Sequence, residues 1–534
     1  MAYYLVLGGT SLYRMNTAGS ATALTLPSGV SVISGRRPRF AVLNRQTIAT
    51  NAFTRSLLID QDFNVYPLQL RSPASAPVLT AASSGGLSGN FRVKYTHIIK
   101  DPSTGALLAE SQFSPASAAS GVIASKLLKV TVETSPDAAV THRRLYRTTT
   151  GPGTTYFPWF DIDGNVLTSG SDDLSDASLQ LVAAPTTLGA APGLIGGTFM
   201  TLCAEWKDRI WGVGDVDVDT LRYTDVRLPY AWKSSYEFQI PPIGFDQFGI
   251  TAIIPRRDEL GVFKRNFMVK IVGDTATTFE RIKVHNGKGC YGPETAVVIN
   301  DTAYFLGEDG VYTWGPEGIQ SISNGKVRKW FTSDTYFNRA QFPNAFAEYN
   351  AKYHGYELHL AAAGSSDIDR WVFYDIDRQA WWGPHKTAAF TPTCGLGFFI
   401  DSNNVTVPVV GGSNGVVYTT NNSTFSDNGS AIALSATSVR HSADTPNVKK
   451  LFGRPSVIFA KQAAAGNLVI TANVGSLAAD STRILNVDQT NPNRQRFSPL
   501  GIGEYCQFVF TESTLNQACR LYGYELDTDE VGIR

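Results

Sequence analysis

Charge is scarce in this chain. Of 534 residues only 17% are Asp, Glu, Lys or Arg, and 46 basic residues balance 46 acidic ones. A zero net charge gives no sign of a strongly basic surface for gripping nucleic acid, although local patches can hide inside a zero sum. Cysteine is scarce too, and odd in number. Cys203, Cys290, Cys394, Cys506 and Cys519 are scattered without CxxC spacing. They suit neither a disulfide framework nor a zinc site and read as small buried hydrophobes. No apolar run reaches the roughly 18–20 residues of a membrane span. The N-terminal MAYYLVLGGTSLYRM lacks the basic flank and cleavage signal of a secretory leader. A soluble chain made in a reducing compartment is expected, with no membrane insertion. Motifs of catalysis are scarce as well: there is no GxxxxGK(S/T) loop and no HExxH pair.

What the chain has is turn chemistry, with 48 Gly and 26 Pro. Residues 295–323, TAVVINDTAYFLGEDGVYTWGPEGIQSIS, show how it is used. Thr295–Ile299, Thr302–Leu306, Gly310–Trp314 and Gly318–Ser323 are short runs of β-branched and aromatic residues. The breaks between them fall at Asn300-Asp301, Glu308-Asp309 and Pro316-Glu317, which supply turn geometry. So little chain intervenes that the simple product is an up-and-down antiparallel sheet, the form of one β-propeller blade.

Similar units recur at roughly 30–50 residue spacing, the range of repeat architectures. They fall in residues 3–30, 38–70, 202–224, 248–284, 344–386 and 394–420. Six or seven blades are expected, without the WD or kelch signatures. The run Ser72-Pro73-Ala74-Ser75-Ala76-Pro77 interrupts them, and Gly89–Ile99 then alternates with Phe91, Val93 and Tyr95 on one face. With Lys126–Glu133, Arg143–Thr148 and Tyr156–Ile162 it predicts an inserted β-sandwich. Its hinges are expected at Ala183-Ala184-Pro185 and Ala191-Pro192-Gly193. Gly466–Val474, Glu504–Thr511 and Ala518–Leu526 predict a C-terminal β-domain, and Lys326–Asn338 is the best helix candidate.

The predicted fold is therefore all-β: a six- or seven-bladed β-propeller with an inserted immunoglobulin- or fibronectin-like sandwich and a C-terminal β-domain. The divisions are 1–75 for the first blades, 76–192 for the insert, 193–425 for the remaining blades and 426–534 for the C-terminal domain.

Each cluster that hints at chemistry has a plainer use. Asp215-x-Asp217-x-Asp219 opens like a calcium loop, but Thr220 and Val226 stand where Gly and Glu are needed; it reads as a solvated strand edge. Asp161-x-Asp163-Gly164-Asn165 reads as a turn. His354 and His359, five apart on one predicted strand, point to opposite faces and cannot chelate one metal without help from elsewhere. Glu308-Asp309-Gly310-Val311-Tyr312-Thr313-Trp314 is similar to the Asp-box turn of sialidase-type propellers, but Gly307 replaces the Ser/Thr. The pairs Trp381-Trp382, Phe398-Phe399 and Tyr3-Tyr4 could stack sugars or bases, and packing is the plainer use. No catalytic, cofactor or metal residue is assigned, and the chain is expected not to be an enzyme.

The chain resembles the tail tube or nozzle proteins of short-tailed bacteriophages. The resemblance rests first on insert residues: Phe91-Arg92-Val93-Lys94-Tyr95, Thr141-His142-Arg143-Arg144-Leu145-Tyr146-Arg147-Thr148 and Asp172-Asp173-Leu174-Ser175-Asp176-Ala177-Ser178-Leu179. A second group is Asp208-Arg209-Ile210-Trp211-Gly212, Leu221-Arg222-Tyr223-Thr224, Pro229-Tyr230-Ala231-Trp232, Leu260-Gly261-Val262-Phe263-Lys264, Gly289-Cys290 and Gly307-Glu308-Asp309-Gly310-Val311-Tyr312. Tyr374-Asp375-Ile376-Asp377-Arg378-Gln379-Ala380-Trp381 completes it, so the likeness covers residues 85–385.

The resemblance implies a virion protein of the tail, made in the host cytoplasm and assembled as a homo-hexameric nozzle. The genome would be ejected through the ring, with double-stranded DNA passing without sequence-specific binding. Implied partners are a head-to-tail adaptor and a tail fibre or needle protein, and no active site is carried over. Two rivals remain: a propeller glycoside hydrolase and a glycan- or receptor-binding tail protein. The first needs two carboxylates about 5–10 Å apart, and Glu205, Asp258 and Asp375 cannot be paired from sequence.

Overall fold

Short β-branched and aromatic runs cut by turn residues cannot bury themselves singly, so they pair with their sequence neighbours. The result is all-β, with 53% strand and 3% helix. The computed structural model describes residues 3–530 apart from 152, 185–196, 242–247, 387–389, 402, 404, 421–425, 443–447, 461–465, 476–480, 487–493, 497, 515–518 and 520. The expected hinge residues Pro185 and Ala191-Pro192-Gly193, and Ala518 of the last predicted strand, lie outside the described residues.

Two compact units divide the chain. The first holds residues 1–385 and 393–418; the second holds 386–392 and 419–534. Outside the insert of residues 78–172, seven small antiparallel sheets follow one another among the described residues, almost wholly within the first unit and numbered here in chain order. Sheet one is Tyr3–Gly8, Ser11–Asn16 and Ala21–Ala23; sheet two is Arg39–Leu43, Gln46–Thr50, Leu57–Ile59 and Val65–Pro67. Sheet three is Met200–Trp206, Arg209–Gly214, Thr220–Asp225 and Leu228–Gln239. Sheet four is Ala252–Pro255, Leu260–Phe263, Phe267–Val272 and Glu280–Asn286. Sheet five, the stretch first read from sequence, is Val297–Ile299, Thr302–Leu306, Val311–Gly315 and Gly318–Ser321. Sheet six is Phe346–Asn350, Gly355–Ala361, Ile368–Asp375 and Ala380–Lys386; sheet seven is Pro392–Ile400, Thr406–Gly412 and Val417–Thr419. In each, strands pair strictly in sequence order.

The sheets pack as a closed circuit. Leu12 meets Phe53 and Leu57 between sheets one and two. Ile48 and Leu58 meet Met200 and Trp232 between two and three. Trp211 and Leu221 meet Leu260 and Val269 between three and four. Phe263 and Met268 meet Phe305 and Trp314 between four and five. Tyr304 and Leu306 meet Tyr356 and Leu358 between five and six. Sheets six and seven approach so closely that a Cβ on Gly397 would lie 1.7 Å from the Tyr349 carbonyl oxygen. Sheet seven then returns to sheet one, with Phe399 and Val409 packed on Met15 and Tyr4, and the Ile400 N–H donates to the Tyr4 hydroxyl at 2.7 Å.

Turn chemistry sets the hairpins. Asn300 and Asp301 adopt φ of 50° and 60°, the left-handed pair that matches a two-residue hairpin to the twist of its strands. Asn44-Arg45 and Lys207-Asp208 do the same between the first two strands of sheets two and three.

The insert has its own core of Phe91, Val93, Tyr95, Leu128, Leu145 and Trp159. One sheet orders Leu107–Glu110, Val93–Lys100, His142–Arg147 and Phe157–Asp163; the other orders Ser169–Asp172, Ile123–Thr131 and Val78–Gly89. The predicted face of Phe91, Val93 and Tyr95 is fully buried. Val78–Gly89 has a Gly/Ser/Ala composition that does not announce a strand. A Cβ on Gly85 would stand 2.6 Å from the Leu127 amide nitrogen, so only glycine permits this approach.

The second unit is built around Val457, Phe459, Leu468, Ile470, Phe508 and Phe510. Its sheets are strand-rich where expected, including Asn467–Val474, Cys506–Glu512 and Leu521–Glu525.

The expected helix over 326–338 is mostly absent. Helix covers only Arg328–Thr332, and Ser333 is extended at its end. Ser333 Oγ accepts the Thr335 N–H and Asp334 Oδ1 accepts the Arg339 N–H, so polar side chains take main-chain donors that a helix would need. Among the described residues no helix is long and apolar enough to cross a membrane. Cys290 and Cys506 are buried as expected, whereas Cys394 is exposed.

Candidate functional site

Chemistry-bearing side chains gather where the first strands of the sheets converge. Arg39 opens sheet two, and Glu294 stands just before sheet five, beside Phe346 in a parallel bridge. Their side chains pair at 2.8 Å, although sheets three and four lie between them in the chain. Arg37 likewise reaches across to sheet six and stacks its guanidinium 5.0 Å from the Phe346 ring centroid. Burial lowers the Arg37 pKa, partly offset by the nearby Glu294 carboxylate. The interior of the circuit is thus bridged by a cation, an ion pair and an aromatic ring.

Behind Phe346 lies a second, fully enclosed cluster. Antiparallel register puts Phe346 opposite His359 and Glu348 opposite Glu357, so two carboxylates and an imidazole share one face. Glu348, Glu357 and His359 are 3%, 3% and 1% exposed. His359 Nε2 stands 3.4 Å from Glu357 Oε1 and 3.8 Å from Glu348 Oε1. Neither nitrogen of His359 and neither carboxylate oxygen of Glu348 makes a hydrogen bond among the described residues. Phe346 stacks flat on the His359 ring at 4.3 Å, and Asn350 Nδ2 donates to Glu357 Oε2 at 3.0 Å. Gly395 of sheet seven makes the space: a Cβ there would lie 2.3 Å from Glu348 Oε2. Burial alone would lower the imidazole pKa, but the two carboxylates outweigh it and lift His359 to about 9. Burial raises the Glu348 carboxyl. The three groups offer ligand atoms within 4.8 Å of one another, the donor set of a divalent cation site. Sequence alone could have paired Glu348 with Glu357 only by fixing the hairpin register around 350–355.

A groove of about 480 Å³ runs between sheets one and two, lined in part by Arg14, Thr25, Asp62 and Tyr66.

The clusters singled out from sequence are dispersed. Asp215 accepts the Thr198 N–H, Asp217 pairs with Arg222 at 2.6 Å, and Asp219 pairs with Lys264 at 2.7 Å. The three carboxylates diverge, in a turn rather than on a strand edge. Asp161 is not a turn residue: it sits within Phe157–Asp163 and pairs with Arg144 and Lys100. Gly164 and Asn165 do make the turn, and Asn165 Oδ1 accepts the Ser135 N–H. His354 lies outside the strand at φ 47° and bonds Asp377 at 2.8 Å. It is far in role from His359, whose help comes from Glu348 and Glu357.

Asp309 accepts from Lys288 at 2.9 Å and from Arg328 at 3.1 Å, and the Tyr312 hydroxyl also donates to it. Burial raises this carboxyl, but those donors and cations hold it below its ordinary range. Glu205, Asp258 and Asp375 occupy separate hairpins. Glu205 accepts the Asp208 N–H, Asp258 stands 3.8 Å from Lys207, and Asp375 pairs with Arg378. Of the aromatic pairs, Trp381 donates to the Ile322 carbonyl, Tyr4 packs on Phe399, and Trp382 is exposed; the Phe398 side chain lies outside the described residues.

No family model matches the chain, and no curated protein matches it. Among solved structures, an exo-beta-1,3-galactanase from Phanerochaete chrysosporium with beta-1,3-galactotriose is similar at 11% identity and TM-score 0.21, covering 85% of this chain and 100% of that one. The same enzyme with galactose gives 11% identity and TM-score 0.18, over 86% and 100%. PorZ, a surface component of the type-IX secretion system of Porphyromonas gingivalis, gives 10% identity and TM-score 0.25, over 98% and 79%. The expectation that the chain is not an enzyme is corrected by these matches, which include a glycoside-cleaving enzyme. TM-scores this low assign no activity to the chain.

Proposed function

We propose that the chain is a seven-bladed β-propeller virion protein and one protomer of a homo-hexameric bacteriophage tail nozzle. The observation that carries the reading is the closed circuit of seven up-and-down sheets, interrupted after sheet two by a sandwich. The motifs quoted above, from Phe91 through Trp381, run through it in one order. Arg39–Glu294 and Arg37–Phe346 bridge the interior of the circuit, so a DNA path fits between protomers better than through one. Six copies close a ring by heterologous contacts that repeat around one axis. A net charge of zero suits a conduit, because a basic lumen would hold DNA through counterion release. An adaptor above and a fibre or needle below are the partners this role needs.

Electron microscopy of the purified full chain, alone and mixed with adaptor, tests the reading. Six-fold rings that dock onto adaptor are expected. Monomers under both conditions overturn it. A polysaccharide-degradation assay on the same sample addresses the glycosidase alternative, and cleavage of a host surface glycan would favour that alternative over the nozzle.

A further inference from the structure

We infer that Glu348, Glu357 and His359 bind a divalent transition-metal ion at the seam between sheets six and seven. The inference does not depend on the nozzle reading. It begins from an imbalance. Two carboxylates and an imidazole are withdrawn from water together, and among the described residues His359 is the one cationic group paired with either carboxylate. Buried charges are tolerated when they are fully paired and hydrogen-bonded. Here His359 Nε2 lies at 3.4 and 3.8 Å from its two partners, and among the described residues both Glu348 oxygens and both His359 nitrogens make no hydrogen bond. Buried side-chain polar atoms in that state call for an explanation.

A dication supplies one. The two carboxylates cancel its charge, and the Glu348 carboxylate and one nitrogen of a neutral His359 imidazole gain a shared partner. The ligand atoms lie within 4.8 Å of one another. Tetrahedral ligation at about 2.0–2.2 Å sets them roughly 3.5 Å apart, so the side chains have only a short way to close. An imidazole with carboxylates favours zinc, manganese or iron over calcium and magnesium, which prefer all-oxygen sites. The surroundings orient the ligands as metal sites require: Phe346 fixes the plane of the His359 ring and the Asn350 amide holds one oxygen of Glu357. Gly395 is the packing partner that leaves room for Glu348. At 1–3% exposure the ion would tie strands together at the seam rather than meet a substrate.

The test is metal content and metal-dependent melting of the full chain. Protein expressed in zinc- and manganese-supplemented medium is expected to hold about one equivalent per chain by elemental analysis. After EDTA dialysis, adding Zn²⁺ should raise Tm by roughly 5 °C. His359→Gln and Glu348→Gln should lose both effects, while the surface variant His354→Gln keeps them. A misfolded variant would also lose metal, so the wild-type protein is read independently. X-ray absorption of the zinc-loaded chain should show one imidazole and oxygen ligands near 2.0 Å. Wild-type protein with neither bound metal nor a Zn²⁺ or Mn²⁺ melting shift overturns the inference. So does metal retained by His359→Gln, or a coordination shell containing sulfur.

Discussion

Ser117 and Val93 satisfy one another twice: the Ser117 N–H donates to the Val93 carbonyl at 2.9 Å, and Ser117 Oγ accepts the Val93 N–H at 2.9 Å. Ser111, Ser114 and Ser120 repeat the arrangement with His97, Tyr95 and Phe91. Every third residue of 111–120 thus meets every second residue of the strand Val93–Lys100 and its lead-in. The segment is not itself a strand, yet it closes an edge that would otherwise expose unpaired main-chain groups. Ser117→Ala leaves the Val93 N–H buried without an acceptor. A loss of about 1–3 kcal/mol is expected, read from urea unfolding, with faster exchange of the Val93 amide proton. An unchanged midpoint would count against the ladder.

Much of the fold was legible because its signals are local. Asn300-Asp301 and the apolar runs beside it dictate a hairpin within a dozen residues, and sheet five formed almost where expected. Less legible were strands whose cause is distant. Val78–Gly89 becomes a strand because Gly85 admits Leu127, a contact no composition reveals. Leu228–Gln239 contains Pro229, which argues against a strand interior, but it lies at the open edge of sheet three, where the missing N–H costs nothing. The Glu348–Glu357–His359 cluster depends on cross-strand register, and Arg39 meets Glu294 only once the circuit has closed.

Acid should loosen the insert at Asp137. Burial raises this carboxyl, but hydrogen bonds from Arg55 and from the Arg71 N–H, with both guanidinium charges, outweigh it and hold it below the usual carboxylate range. With the folded pKa depressed, its contribution is complete above the unfolded value of about 3.9 and is lost as pH falls through the folded value. Asp137→Asn should flatten that part of the stability profile below about pH 4. It also strands Arg55, whose side chain is 11% exposed, so a cost of about 3–5 kcal/mol at pH 7 is expected. Thermal melts of both proteins from pH 3 to 7 check the sign and the size.

Arg45 is strained without compensation. It sits at φ 63° in the two-residue turn after Asn44 and is exposed. Non-glycine residues in the left-handed region carry a steric cost, and Asn-Gly is the favoured pair for this turn. Arg45→Gly should therefore stabilise the chain by about 0.5–1 kcal/mol, visible as a higher urea midpoint with an unchanged slope. A lower midpoint would mean that the arginine makes a contact in solution.

The bridge across the circuit makes a separate demand on cooperativity. Arg39 and Glu294 are 17% and 28% exposed and meet at 2.8 Å, from sheets that do not adjoin in sequence. If the circuit is closed in solution, removing either partner weakens a contact between sheet two and the lead-in to sheet five. A double-mutant cycle with Arg39→Met and Glu294→Gln should then give a coupling energy of about 1–3 kcal/mol. The methionine keeps apolar volume and the glutamine keeps shape, so the cycle isolates the charged contact. High salt should reduce the coupling only slightly, because partly buried pairs are poorly screened. Zero coupling would place the two side chains apart in solution and open the circuit at its centre.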